Sequence, residues 1–266
     1  MRRVSALFLR ADIAALWQDI DALSAAFALE GDVLRIGPGR ETLRVTIDNK
    51  RYIVKRHRGV GWREILKNLF LLRAPVLGAR NEFIAALRLE AAGVPSLNVA
   101  AYAARGINPA TQQSFILCDD IAHRESLEKT ALRWRVTRPS CSARWAMIAR
   151  VAHIAGAMHA AGVNHRDFYL CHLLCADHNE LRLIDLHRAQ TRLRTPRRWR
   201  VKDLGALYFS ALDVPLTARD RLRFVRDYHA GHLPRTAAQW QLWRDVEARA
   251  QQLYAKGLRS GLVGNA

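Results

Sequence analysis

Asp167 follows His165-Arg166, and eighteen positions later Asp185 closes the apolar run Leu181-Arg182-Leu183-Ile184. One carboxylate on a loop and another at the tip of a strand suit phosphoryl transfer from a nucleoside triphosphate to a hydroxyl. The acceptor hydroxyl needs a carboxylate to orient it and take its proton, and the triphosphate needs a second to hold Mg2+ against its oxygens. Asp167 is the candidate for the first role and Asp185 for the second. Lys55, ending the run Tyr52-Ile53-Val54, is placed to reach the α- and β-phosphates. Such a lysine needs its own carboxylate, and Glu82, in the first turn of a helix expected over Asn81 to Ala92, is the candidate. A glutamate there also answers the helix dipole, and that reading stays open.

Other residues fit this chemistry less specifically. The turn at Gly37-Pro38-Gly39 lies where a kinase-type glycine-rich loop would cover the phosphates, but Gly37 and Gly39 alone equally describe an ordinary hairpin. Position 172, where a protein kinase has a metal-binding Asn, is histidine; neutral imidazole suits Mg2+ poorly, so His172 could act through water, touch the nucleotide or do neither. Leu174 would form part of the floor under adenine. His165 is expected to pack behind the loop and order it, and Arg166 to brace the loop or a nearby anion. Asp203 braces the loop from below or caps a helix. The basic run containing Arg192, Arg194, Arg197, Arg198, Arg200 and Lys202 is either a solvated face or a binding surface for a multiply phosphorylated acceptor, with Arg197, Arg198 and Arg200 as the named candidates. Cys171, His172, Cys175 and His178 could be read as a zinc cluster, but small buried cysteines explain them better.

These groups must be positioned by recognisable elements. Residues 4 to 29 read as one or two amphipathic helices. Val33 to Ile36 and Thr42 to Ile47 alternate apolar with polar as paired strands do, with a turn at Gly37-Pro38-Gly39, and Asp48-Asn49-Lys50 turns the chain into a third, apolar strand, Tyr52 to Lys55, in a small antiparallel sheet. Trp62 to Leu72 has helical apolar spacing among Arg63, Lys67 and Arg73, and packs on the body of the protein or lies on an anionic membrane. Ser114 to Cys118 is a further strand before a hinge at Asp119-Asp120-Ile121. Ala143 to Ala161 is a strong helix stopped by Gly162, and it delivers the chain to Asp167. Val201 to Leu212, Thr217 to Ala230 and Thr236 to Lys256 are helices, with Thr217 and Thr236 as caps and Gly231 and Gly257 as stops. The expectation is an α+β, bilobal protein-kinase-like fold: residues 1–121 form a sheet-containing N-terminal lobe and residues 122–266 a helical C-terminal lobe.

Bulk properties agree. A chain of 266 residues with 50% hydrophobic content can build such a core, and a formal net charge of +18 selects anionic partners. Cys118, Cys141, Cys171 and Cys175 have no disulfide-framework spacing, and no secretory signal or spanning run is apparent, so a reducing cytoplasm with peripheral membrane contact is expected. No nucleic-acid module accompanies the charge.

The stretches H-R-G-V-G-W from His57, K-N-L-F from Lys67, P-V-L-G-A from Pro75, N-H-R-D from Asn164, Y-L-C-H from Tyr169, I-D-L-H-R-A-Q from Ile184, P-R-R-W-R from Pro196 and K-D-L-G-A-L-Y-F-S from Lys202 resemble the lipopolysaccharide core heptose(I) kinases. The resemblance covers roughly Val33 to Leu258; the first thirty residues match less well. It implies a protein-kinase-like fold and transfer of the ATP γ-phosphate to the first heptose of the lipopolysaccharide inner core, on the cytoplasmic side of the inner membrane. It further implies Asp167 as base, Lys55 and Glu82 as the phosphate-positioning pair, Asp185 as Mg2+ ligand, and acyl carrier protein as a partner. His172 fits the family's own Y-L-C-H. Within enzymes the alternative is a protein or small-molecule kinase on the same fold. Outside them it is a catalytically silent scaffold on anionic membrane.

Overall fold

The computed structural model describes residues 4–70, 78–121, 125–176 and 180–259. The chain divides into two compact units, Met1–Leu87 with Leu97–Ile121, and Arg88–Ser96 with Ala122–Ala266. The first carries an antiparallel sheet and the second is mainly helical, the α+β architecture of a bilobal protein-kinase-like fold.

In the first unit the strands are β1 (Val4–Leu9), β2 (Asp32–Gly37), β3 (Arg40–Ile47), β4 (Lys50–His57), β5 (Val99–Arg105) and β6 (Gln113–Asp119), in sheet order β1-β5-β6-β4-β3-β2. Two-residue turns set the registers. Asp48 and Asn49 take positive φ between β3 and β4, the backbone that a tight hairpin matching strand twist requires. Gly39, at φ +64, closes the β2–β3 turn, where an added Cβ would lie 2.2 Å from the Gly59 carbonyl oxygen. Side-chain alternation then assigns the two faces. Tyr52 and Val54 of β4, with Ala101, Ala103, Phe115 and Leu117, join Ile13, Trp17, Leu23 and Ala26 in one buried core. Those last four come from α1 (Ala11–Leu16), its C-cap, and α2 (Ala22–Ala28), which Asp21 caps by accepting from Ser24 N. Lys55 has the opposite parity to Val54 and belongs to the other face.

That face meets α4 (Arg80–Ala91), which follows α3 (Gly61–Phe70). Phe83 of α4 stacks on Tyr102 at 4.2 Å between ring centroids and touches Phe8 at 5.4 Å.

In the second unit Ser140 caps α6 (Cys141–Ala160), which follows α5 (Leu127–Leu132). The α6 side chains Met147, Ile148, Val151, Ile154, Ala155 and Met158 are buried. Gly162 ends the helix at φ +76, where a Cβ would sit 1.9 Å from the Arg192 carbonyl oxygen, so no other residue fits without displacing backbone. Short strands follow: β7 (Glu125–Ser126) lies earlier in the chain, then β8 (Val163–Asn164), β9 (Leu173–Cys175), β10 (Leu181–Leu183) and β11 (Gln190–Thr191). They pair as β10-β9-β7 and β11-β8. The remaining helices are α7 (Arg197–Ala211), α8 (Ala218–Tyr228) and α9 (Ala237–Arg259). A capping box, Thr217 with Asp220, starts α8.

Several expectations need correction. Residues 4–9 form a strand, not a helix, because the apolar run finds an edge to pair with on β5. Gly257 does not stop α9; it is buried within the helix, which continues to Arg259. Arg197 to Arg200 already belong to α7, which starts four residues before the expected Val201, directly after the extended Pro196. The helix expected over Trp62 to Leu72 is described as far as Phe70, and its last two residues lie outside the described residues.

Candidate active site

Lys55 and Glu82 meet in the first unit. Lys55 Nζ lies 2.5 Å from Glu82 Oε1, with the glutamate side chain fully buried and the lysine side chain 14% exposed. A buried carboxylate is costly unless paired, so this contact fixes the lysine on the face of β4 that meets α4. The other glutamate oxygen, Oε2, has no hydrogen-bond partner among the described residues. Glu82 is therefore an ion-pair partner and not simply a helix-dipole residue. Gly37 and Gly39 occupy the β2–β3 turn; Gly37 has open space around it.

The second unit brings Asp167 and Asp185 around one histidine. The β8–β11 pair joins Asn164 to Gln190, and the β9–β10 pair joins Leu173 to Leu183, so both ends of the 165–185 segment are fastened. Leu174 sits half-buried on β9. Between the ladders, His172 Nδ1 is 2.6 Å from the Asp167 carbonyl oxygen, and its Nε2 is 3.7 Å from Asp185 Oδ2. Burial lowers the His172 pKa, but hydrogen bonds to Cys171 and to the Asp167 carbonyl, with the charges of Cys171 and Asp185, raise it to about 9. The ring donates from Nδ1 to the Asp167 carbonyl, and its positive charge when protonated faces the Asp185 carboxylate across an ion-pair contact. Asp185 itself takes left-handed φ +62, and its Oδ1 lies 2.5 Å from His187 Nδ1. Non-glycine residues hold that backbone conformation only where their surroundings enforce it.

Arg188 Nη1 donates to both carboxylate oxygens of Asp167, at 2.7 and 3.0 Å. Charge-assisted contacts of this kind fix a carboxylate rotamer. Reading the sequence did not assign Arg188 or His187 a role, although both lie in the quoted I-D-L-H-R-A-Q stretch; the one-turn helix over Leu186–Arg188 that aims them back is not visible in composition.

The loop backbone is held from behind. Asp203 of α7, fully buried, accepts from His165 N and Arg166 N, each at 2.8 Å, and lies 3.3 Å from His159 Nε2. It braces the loop and is not a helix cap, since Pro196 occupies that place. His165 is wholly buried; burial lowers its pKa, and the neutral ring donates from Nε2 to the Ile184 carbonyl at 2.9 Å while Nδ1 accepts from Asp167 N at 3.3 Å. Arg166, at φ +74, is pulled below its usual pKa by burial and by the Arg188 charge.

The arginine run divides on inspection. Arg197 pairs with Asp245, and Arg200 interacts with Tyr228. Arg198, by contrast, stands with Lys202, Arg192 and Arg166 around the ring of Trp199, at 5.4, 4.5, 5.3 and 5.8 Å from its centroid. Arg192 also donates to Asn164 and Gln190. Four cations on one indole, at the uncapped N-terminal end of a helix, form a strongly electropositive surface. Arg198 is thus the one of the three named arginines that faces this group.

Cys171 and Cys175 are half-buried free cysteines, and His178 lies outside the described residues. An apolar cavity of about 220 Å³ lined by Met147, Val151, Leu204, Leu207, Phe224 and Trp243, among others, also lies in this unit. Its lining does not suit a triphosphate.

Comparison with known proteins gives this geometry a context. Residues 24–228 match the model of the "Lipopolysaccharide kinase (Kdo/WaaP) family". The chain is 46% identical over 256 residues to the lipopolysaccharide core heptose(I) kinase WaaP of Pseudomonas aeruginosa PAO1, covering 92% of this chain and 95% of that protein. It is 41% identical over 262 residues to the protein of the same description from Escherichia coli, covering 96% and 99%. Among solved structures, "WaaP in complex with acyl carrier protein" superposes with a TM-score of 0.78 at 42% identity, covering 94% of this chain and 99% of that one.

Proposed function

We propose, for a chain that belongs to the lipopolysaccharide kinase (Kdo/WaaP) family, that it transfers the γ-phosphate of ATP to heptose I of the lipopolysaccharide inner core. The observation that carries the reading is the pairing of Asp167 and Asp185 through His172, on a loop whose backbone Asp203 fixes, in a chain so similar to heptose(I) kinases.

The residues divide the work as follows. Asp167, its rotamer set by Arg188, accepts the hydrogen bond of the heptose hydroxyl, orients it toward the phosphorus and takes its proton as the bond to phosphorus forms. Because the transition state of phosphoryl transfer is loose, orientation carries more of the rate than strong deprotonation does. Lys55, held by Glu82, binds the α- and β-phosphates, with the Gly37–Gly39 turn lying over them. Leu174 offers an apolar surface to adenine. Asp185 would hold Mg2+, which when bound neutralises charge on the phosphate oxygens. Its donor chemistry fits: Mg2+ takes one or two carboxylates plus phosphate oxygens and waters rather than an all-protein cage. Among the described residues no group of three potential ligands forms such a cage. His172 serves as a spacer between the loop and Asp185 and not as a ligand, because Nδ1 is taken by the Asp167 carbonyl and a ring held protonated offers a metal no lone pair.

The cations around Trp199 take the acceptor's phosphates and carboxylates, which suits a lipid A and inner-core substrate. A substrate of that kind places the enzyme at the cytoplasmic face of the inner membrane, as a peripheral protein. Among the described residues no helix is long and apolar enough to cross a membrane. The complex solved for a relative supports acyl carrier protein as a partner.

The test uses purified protein with ATP and Mg2+ and either dephosphorylated core lipopolysaccharide or a generic protein as acceptor. Phosphate is expected on heptose I by mass spectrometry of the released oligosaccharide. Label found on protein alone overturns the assignment.

A further inference from the structure

Helix α3 buries Ile65 and leaves three large apolar side chains facing outward. Trp62, Leu66 and Phe70 are 55%, 49% and 87% exposed, and they recur every four residues, so they form one stripe along the outer face. Arg63 and Lys67, both exposed, flank the stripe. The helix also contains Glu64, which leaves a net charge of one positive over ten residues in a chain whose total is +18. A fourth exposed apolar residue lies near the start of the helix. Ile107, 96% exposed, is in the β5–β6 loop, and the Ala110 carbonyl of that loop accepts from Gly61 N at 3.0 Å where α3 begins.

A water-facing stripe of this kind costs free energy unless something covers it. Its area, on the order of 400 Å² for two aromatics and a leucine, is about half of the ~800 Å² that each partner contributes to a stable protein interface. A second copy would also set Arg63 and Lys67 against their own counterparts in a two-fold contact. An anionic lipid surface meets neither objection. Trp and Phe settle at the headgroup and acyl boundary while basic side chains remain at lipid phosphates, and about 15 Å of helix is enough to lie in that plane without crossing it.

We infer that the outer face of α3, through Trp62, Leu66 and Phe70 with Arg63 and Lys67 beside them, docks this protein on anionic phospholipid bilayers. The inference deepens the peripheral placement proposed above, and it is measured without ATP, so that its failure and the failure of the phosphotransfer assignment are distinguishable. The full chain is sedimented with vesicles of phosphatidylethanolamine and phosphatidylglycerol, and separately with phosphatidylcholine alone. Binding to the anionic vesicles is expected, and Trp62→Ala with Phe70→Ser is expected to weaken it by at least about tenfold. Brominated lipid in the anionic vesicles is expected to quench wild-type fluorescence more than that of Trp62→Phe. All three side chains are exposed, so the variants should keep the wild-type circular dichroism and melting temperature and should still phosphorylate a detergent-dispersed acceptor. Unchanged vesicle binding in the double variant overturns the inference, since charge elsewhere then suffices. So does a double variant that only shifts the sedimentation coefficient from dimer to monomer, because the stripe then meets a second copy. Loss of heptose phosphorylation with vesicle binding intact bears on the phosphotransfer reading alone.

Discussion

Replacing Asp203 by alanine tests the loop brace directly. Its carboxylate accepts two backbone hydrogen bonds at 2.8 Å, from His165 and Arg166, in a fully buried position. Hydrogen bonds to a charged group contribute about 1.5–3 kcal/mol each, so the pair is worth roughly 3–6 kcal/mol before the carboxylate's own burial cost is returned. Part of that cost comes back when the charge is removed, and we expect a net loss of about 3 kcal/mol. For a chain of this size that corresponds to a fall in Tm of about 6–12 °C. Asp203→Asn retains one acceptor oxygen and should lose less. Urea unfolding followed by circular dichroism gives the stability. Turnover measured well below the new Tm should drop by at least about tenfold, because the backbone that aims Asp167 is released. A stability loss under about 1 kcal/mol together with normal turnover would refute the reasoning, since two buried donors cannot lose a charged partner at so little cost.

Four further outcomes follow from the same geometry. Asp167→Asn should fold normally and lose kcat by at least ~100-fold, read by phosphate transfer to the core acceptor; near-normal turnover removes Asp167 from its role. Lys55→Met, which leaves Glu82 buried and unpaired, should both destabilise the first unit and weaken nucleotide binding by more than about tenfold, measured by calorimetric titration with ATP. Gly162→Ala combines a positive φ with a Cβ aimed at the Arg192 carbonyl and should cost more than about 2 kcal/mol in chemical unfolding. The Asp220 carboxyl is pushed up by burial, but the Thr217 backbone and hydroxyl and the Arg144 guanidinium outweigh this and hold it below the usual carboxylate range. Its contribution is therefore present above the unfolded value near pH 3.9 and disappears as pH falls through the lower folded value. Asp220→Asn should be less stable than the parent at pH 7, with the gap closing below about pH 4.

Local pattern made much of this architecture readable. The alternation through Thr42 to Ile47 and the turn at Asp48-Asn49-Lys50 placed the hairpin, and Lys55 stood out as the lysine ending its apolar strand. Asn81-Glu82-Phe83 before a helical run, with Gly93 after it, gave the helix that answers the lysine. The two aspartates were legible because their chemistry demands particular residue types at the ends of particular elements. What stayed hidden depended on contacts between segments distant in sequence. Val4 to Leu9 is apolar enough for either helix or strand, and only the free edge of β5 decides. Arg188 and Asp203 act through backbone geometry that no periodicity encodes, the first through a single helical turn after Asp185, the second through α7 passing under the loop. The arginine run looked uniform in sequence, whereas ion pairing with Asp245 and packing against Tyr228 withdraw Arg197 and Arg200 from the surface that Arg198 shares.

Helix α7 carries, within six residues, two of the four cations gathered on Trp199, Arg198 and Lys202, and the carboxylate that grips the peptide groups of His165 and Arg166. Whatever seats on its first turn pushes on the same rigid rod that steers Asp167. Stripping anionic groups from an acceptor should therefore slow catalysis as well as loosen capture, so the enzyme would discriminate by turnover among sugars that differ only in their distant decoration.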